Sequence, residues 1–259
     1  MRFSMKTVSK RTKFWIAAIA VVISSGAGAQ DPHFSNYRHS PLSLNPALAG
    51  FYNGGYRASF NYRNQWSILP EPFVTFSAGI DMPIYVRDTK FAGGLYFLND
   101  KSGSPELSVT KVFANFGYML ESNEHTIGFS FQPGYVMKSI SSGLSLPDQY
   151  NPQTGEFDPD MPTGEPLFND AVNYLDMNAG LVYGLNLRTF KPKVGVAFFH
   201  LTQPQENFLK DSEENKVRMR MAIHANFKYF VKDEIFVDPH IYTTSVSGVS
   251  NTIIGVNGG

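Results

Sequence analysis

The chain has 259 residues, with 22 basic against 22 acidic side chains and no cysteine. Absence of cysteine excludes a disulfide framework. Charged residues make up 17 % and aromatic residues 14 %, beside 22 glycines and 16 prolines, a composition that suits a strand-built membrane barrel better than a helical domain.

Residues 1–13 carry Arg2, Lys6, Lys10, Arg11 and Lys13 and no acid, and residues 14–23 form a ten-residue apolar run. Ala27 and Ala29 then supply the small-residue pattern of a cleavage site. This is a secretory signal peptide over residues 1–29, with the mature chain starting at Gln30. Ten apolar residues at ~1.5 Å each cannot cross ~30 Å of hydrocarbon as an anchor helix. No cysteine follows the run, so a lipoprotein is excluded. Cleavage removes five cations and no anion, leaving 17 basic and 22 acidic residues, net −5. That balance argues against a nucleic-acid partner. Every later apolar run is broken by Arg, Asp, Asn or Gly before it could span a membrane as a helix.

Residues 30–54 do not alternate. Asn45-Pro46-Ala47-Leu48-Ala49-Gly50 has a cap residue, a proline at the first helical position and a closing glycine, which predicts one turn of helix. This segment is expected at the periplasmic mouth of a barrel or folded into its lumen.

From residue 55 to 259 the pattern changes to period two. In Thr126–Met137, Ile127, Phe129, Phe131, Pro133, Tyr135 and Met137 point one way, and Thr126, Gly128, Ser130, Gln132 and Gly134 the other. Side chains alternate across a strand, so this is a strand with one apolar face and one small, polar face. Ten such strands are predicted, over residues 55–66, 73–84, 91–98, 107–119, 126–138, 172–186, 193–201, 217–230, 235–245 and 251–258. Connections after the even strands are short and those after the third, fifth and seventh longer, the longest spanning 139–171. That asymmetry is what an outer-membrane barrel shows, with short periplasmic turns and long outer loops. The fold class is therefore all-β, an antiparallel transmembrane outer-membrane β-barrel. Its last strand ends mid-pattern, so the barrel is read as incomplete at its C-terminus.

The apolar faces are assigned to lipid and the polar faces to the lumen, because Arg or Lys at mid-bilayer on the lipid side costs ~2–4 kcal/mol. The strands at 91–98 and 193–201 are apolar on both sides and stay unoriented. The lumen then holds a charge cluster of Arg57, Arg63, Asp81, Asp176, Arg218, Arg220 and His224. Arg57 and Arg63 are placed to pair with Asp81, and Arg218, Arg220 and His224 to meet Asp176. Such pairs satisfy one another and fill a narrow barrel; the functional alternative is a pore lining or a contact for a translocating chain.

The long outer loop offers Asp148, Tyr150, Phe157, Met161, Leu167 and Phe168 as a partner-docking surface, aromatic anchors amid polar residues. Its acids could gather calcium, but the twelve-residue calcium-loop pattern is not met. The six histidines show no metal-ligand spacing, and nucleophile-elbow and phosphate-loop motifs are missing. The expectation is a non-enzyme with no cofactor and no metal.

Asp31-Pro32-His33-Phe34-Ser35-Asn36-Tyr37, Leu44-Asn45-Pro46-Ala47-Leu48-Ala49-Gly50 and Tyr62-Arg63-Asn64-Gln65-Trp66 together resemble the opening of the PorP/SprF family, outer-membrane proteins of the type IX secretion system in Bacteroidetes. Leu175-Asp176-Met177-Asn178-Ala179-Gly180 and Val194–Pro204 extend the likeness over most of residues 30–259. The resemblance implies a barrel of about fourteen strands, several more than the ten read here. It also implies a role in exporting or displaying large proteins through their C-terminal sorting domains, with periplasmic anchoring or motor proteins and outer-membrane lipid as further partners. A small-solute channel is the rival from the polar face, and a soluble β-sandwich adhesin the rival if the apolar face is a core.

Overall fold

A computed structural model of the chain describes residues 37–68, 72–102, 107–140, 149–158, 161, 171–206, 208, 215–232 and 234–259. The expected signal peptide, residues 1–29, lies outside them.

The described chain opens with three short helical turns. These are a 3-10 turn at Tyr37–His39, helix α1 at Pro41–Leu44 and a second 3-10 turn at Pro46–Leu48. Proline opens the latter two, where its missing N–H costs nothing. The Asn45 side chain caps the last turn by accepting from the Ala47 N–H at 2.9 Å, and Gly50 closes the segment at φ +61°. The one-turn helix expected from the sequence is therefore present.

The strands are β1 (Arg57–Gln65), β2 (Phe73–Val86), β3 (Thr89–Ser102), β4 (Leu107–Ser122), β5 (His125–Ile140), β6 (Tyr150–Asn151), β7 (Glu156–Phe157), β8 (Ala171–Leu185), β9 (Phe190–Phe199), β10 (Arg220–Phe230), β11 (Phe236–Val246) and β12 (Val249–Gly258). All but β6 and β7 form one ten-stranded antiparallel sheet in chain order, while β6 and β7 pair as a separate hairpin. Each predicted strand has its counterpart, with most bounds shifted by one to four residues; two of the shifts have a plain cause. β3 runs to Ser102 because the polar Asn99, Asp100 and Lys101 still pair with Thr110, Val109 and Ser108 of β4. β10 starts at Arg220, since the Val217 N–H turns away to donate to the Pro204 carbonyl at 2.9 Å.

The sheet is strongly curled. Strands ~4.8 Å apart would put β1 and β11, eight neighbours away, ~38 Å from each other in a flat sheet. Yet the His39 carbonyl accepts from Asn61 of β1 at 3.2 Å, while Tyr37 packs on Tyr242 of β11 with ring centroids 4.8 Å apart. One three-residue turn touches both sides, so the sheet wraps the N-terminal segment.

Alternation decides which face that is. On β1, Phe60 is 73 % exposed and points outward, while Arg57, Ser59 and Asn61 are half-buried on the inside. The two strands that the sequence left unoriented are now placed: Ala92, Tyr96 and Leu98 of β3 and Ala197 and Phe199 of β9 are buried inward, with Leu95 and Val194 outward. Inside, two apolar clusters form on either flank of the wrapped segment. Leu42 and Ala49 pack with Tyr96, Phe113 and Val136; Tyr37, Leu44, Ala47 and Leu48 pack with Val182, Phe199 and Tyr242.

Outside, the apolar surface is far broader than water tolerates on a soluble domain. Exposed Tyr56, Tyr118, Tyr183 and Tyr229 all lie toward one end of the sheet, as in the aromatic girdle of a membrane barrel. That end carries only short turns, Arg87-Asp88, Asn123-Glu124, 186–189 and 231–235, whereas the other carries the long connections 141–170 and 200–219 beside the shorter 66–72, 103–106 and Ser247-Gly248; the connection after β3, expected to be long, is short. Among the described residues no helix is long and apolar enough to cross a membrane, which says nothing of strands.

Candidate functional site

The inner face is occupied by the chain's own N-terminal segment, and polar side chains fasten it there. Asp81 of β2 is the first fastening. Arg57 of β1 donates Nε and Nη2 to its two carboxylate oxygens, each at 3.0 Å, and Nη2 also donates to the Leu48 carbonyl at 2.9 Å. The Gly50 N–H adds a bond to Asp81 at 2.8 Å, and the Tyr52 hydroxyl donates to the Asp81 backbone carbonyl at 2.7 Å. A carboxylate taken out of water needs such a bidentate partner.

Asn45 is the second fastening and reaches three strands. Its Nδ2 lies 3.1 Å from the Leu181 carbonyl of β8, 3.3 Å from the Val196 carbonyl of β9 and 3.0 Å from His224 Nε2 of β10. Glycine makes the room. A Cβ on Gly180 would collide with Asn45 Oδ1, and one on Gly195 would come 2.8 Å from Asn45 Nδ2. On the other flank Asn115 donates to the Pro46 carbonyl at 3.0 Å and to the Ser130 hydroxyl at 2.8 Å. Gln132 donates to the Leu42 carbonyl at 3.3 Å and accepts from Asn178 at 2.9 Å. Asn178 accepts from the His200 N–H at 3.1 Å, and His200 Nδ1 meets Asp176 Oδ2 at 2.6 Å. Arg38 completes the set with an ion pair to Asp238 of β11 at 2.5 Å.

At the short-turn end a cavity of about 380 Å³ remains, lined among others by Arg38, Lys90, Lys191, Lys193, Lys228, Glu121 and Asp238. At the opposite end the hairpin of β6 and β7 presents Tyr150 and Phe157 edge to face, centroids 5.3 Å apart, both exposed. Among the described residues no group of three or more His, Cys, Asp or Glu is gathered to hold a metal.

A family model for the type IX secretion system membrane protein PorP/SprF matches residues 26–258. The chain belongs to the PorP/SprF family. No curated protein and no solved structure matches it. PorP/SprF membership makes the chain a membrane component of type IX secretion, and the all-β sheet agrees with an outer-membrane barrel.

In this PorP/SprF chain the seven charged positions expected to form one lumen cluster do not gather in one place, and one expected pair forms. Arg57 and Asp81 meet. Arg63 stands opposite Thr75, six residues along β2 from Asp81 and so ~20 Å away. Asp176 meets His200 and not Arg218, Arg220 or His224. Arg218 is exposed and precedes β10. Arg220 lies with its guanidinium 3.9 Å from the centre of the Phe199 ring and within 3.4 Å of the Tyr242 hydroxyl. His224 faces Asn45. Asp176 misses the cations of β10 because β9 lies between β8 and β10, and Arg63 misses Asp81 because the β1–β2 register sets them six residues apart.

Of the docking positions, Tyr150 and Phe157 share the hairpin and Met161 is half-buried with its carbonyl accepting from Gln149 at 3.2 Å; Asp148, Leu167 and Phe168 lie outside the described residues. Arg38, Asn45, His200 and Asp238 carry fastenings that the sequence did not announce. Asn45 was visible only as a helix cap, a role it also fills. The other three lie in segments whose partners are 24 to 200 residues distant.

Proposed function

We propose that this chain is a non-enzymatic outer-membrane component of type IX secretion that anchors or hands over large surface-displayed or secreted proteins carrying C-terminal sorting domains. Periplasmic anchoring or motor proteins would meet its short-turn end. Removal of residues 1–29 and an outward-facing 139–171 loop belong to this reading. The observation that carries it is the occupied interior. Although β1 and β12 are not paired with each other, the inner face is packed with the chain's own residues 37–52 rather than left as an open lining, which favours working surfaces at the ends of the sheet. The exposed Tyr150–Phe157 pair offers rigid aromatic contact area of the kind found at interface anchors.

The test is a mild-detergent pull-down of the tagged full-length protein from outer membranes, with partners identified by mass spectrometry. A large surface protein and periplasmic anchoring proteins should co-elute. Recovery of the barrel alone, together with unchanged surface and secreted protein in a deletion strain, would sink the reading. Steady conductance of the purified protein in planar bilayers would favour a small-solute channel instead.

A further inference from the structure

Among the described residues the short-turn cavity carries a charge imbalance. Its two lining acids are both engaged. Glu121 pairs with Lys90 at 2.7 Å; Asp238 holds Arg38 on Oδ2 and accepts from Asn226 on Oδ1 at 3.3 Å. Lys191, Lys193 and Lys228 also line it. Their contacts are with aromatic faces: Lys193 lies 4.8 Å from the Phe51 ring centre, Lys191 5.4 Å from Phe230, and Lys228 3.6 Å from Phe236. Among the described residues no carboxylate pairs with any of the three.

The register sharpens the point. Lys191 of β9 and Lys228 of β10 are directly opposed partners, and Lys193 follows Lys191 on the same face. Like charges facing each other across an antiparallel pair destabilise a sheet. A fold that needed only packing there would be better served by neutral side chains. Two facing lysines with a third beside them, at the mouth of a cavity with aromatic walls, are suited to an anion that is not part of the described chain.

We propose that this cavity binds an acidic peptide segment of a partner protein reaching it from the short-turn end. The lysines point inward, on the face opposite the exposed Phe227 and Tyr229 of β10, so headgroups of the surrounding bilayer do not reach them. About 380 Å³ lies within the usual range of ligand pockets, ~300–1,000 Å³, and takes the side chains of a short Asp/Glu-bearing stretch. The inference deepens the proposed function and rests on it only for the periplasmic location of the partner.

The experiment uses the full-length protein in nanodiscs and a fluorescent peptide rich in Asp and Glu, with an Asn/Gln peptide as the neutral control. The acidic peptide should bind, weaken as salt rises, and bind equally in discs of zwitterionic and of anionic lipid. Lys191→Gln and Lys228→Gln should each loosen it about tenfold, a change of ~1.4 kcal/mol. Lys191→Gln should also leave the empty protein as heat-resistant as before or more so, because it relieves the facing charges. That result separates a binding lysine from a merely structural one. Lys101→Gln, toward the far end of β3, should leave peptide binding unchanged. Equal binding of the neutral peptide, binding indifferent to both variants, or loss of heat resistance in Lys191→Gln would overturn the proposal. Because the assay needs no secreted cargo, a failure of the secretion role would leave its result standing.

Discussion

Asp81 and Asn45 bear most on how the inner face is held. Asp81 is buried, yet Arg57 keeps 29 % of its side chain exposed, so their pair is stronger than a surface bridge and weaker than a fully buried one. Asp81→Asn removes the charge and leaves Arg57 facing an amide. The expected loss is about 2–4 kcal/mol, at or below the ~3–5 kcal/mol of breaking a fully buried pair, read as a lower denaturant midpoint in detergent. Arg57→Lys should lose part of the same stability, since an ammonium cannot reproduce the two-pronged contact. Gly180→Ala acts from the other side. Its Cβ meets the Asn45 oxygen, so either the cap or the strand must give, and about 1–3 kcal/mol should be lost, as for overpacking. Asn45→Ala combined with Gly180→Ala should recover part of it, which a double-mutant cycle would register as coupling.

Strands were legible in the sequence because their information is local. Phe60 and Tyr62 outward with Arg57 and Asn61 inward is a two-residue rhythm that burial reproduces. β3 and β9 defeated it, because Ala92, Tyr96 and Leu98 are apolar residues facing inward against the helical turns, where apolar contact is wanted on both sides of the strand. The charge partners were illegible for a different reason. Which of Arg218, Arg220, His200 and His224 reaches Asp176 depends on strand order and register, which no single segment encodes. A substitution pair checks the facing. Phe60→Arg places a charge on the outer face and should cost ~2–4 kcal/mol if mid-bilayer, with poor recovery of heat-resistant protein from membranes. Asn61→Arg, one residue on and inward beside Ser77, should assemble far better.

For the molecule as a whole, the wrapped segment is what fills the inner face. The intact protein should stay closed in a planar bilayer, and Asp81→Asn combined with Asn45→Ala should produce intermittent openings as the segment loosens. Continuous conductance from the intact protein, or none from the double variant with its fold retained, would contradict the idea that residues 37–52 are what occupies the interior. The same segment also sets an order of events in biogenesis. Arg38 is among the first residues of the described chain to be synthesised, and its carboxylate lies 200 residues later, on β11. Closing so long a loop costs on the order of 5 kcal/mol in chain entropy before the contact repays it. The earliest exported residues are thus among the last to be fastened, and they stay open to attack until the late strands arrive. A periplasmic protease that cuts beside Arg38 would therefore destroy stalled intermediates and spare finished barrels.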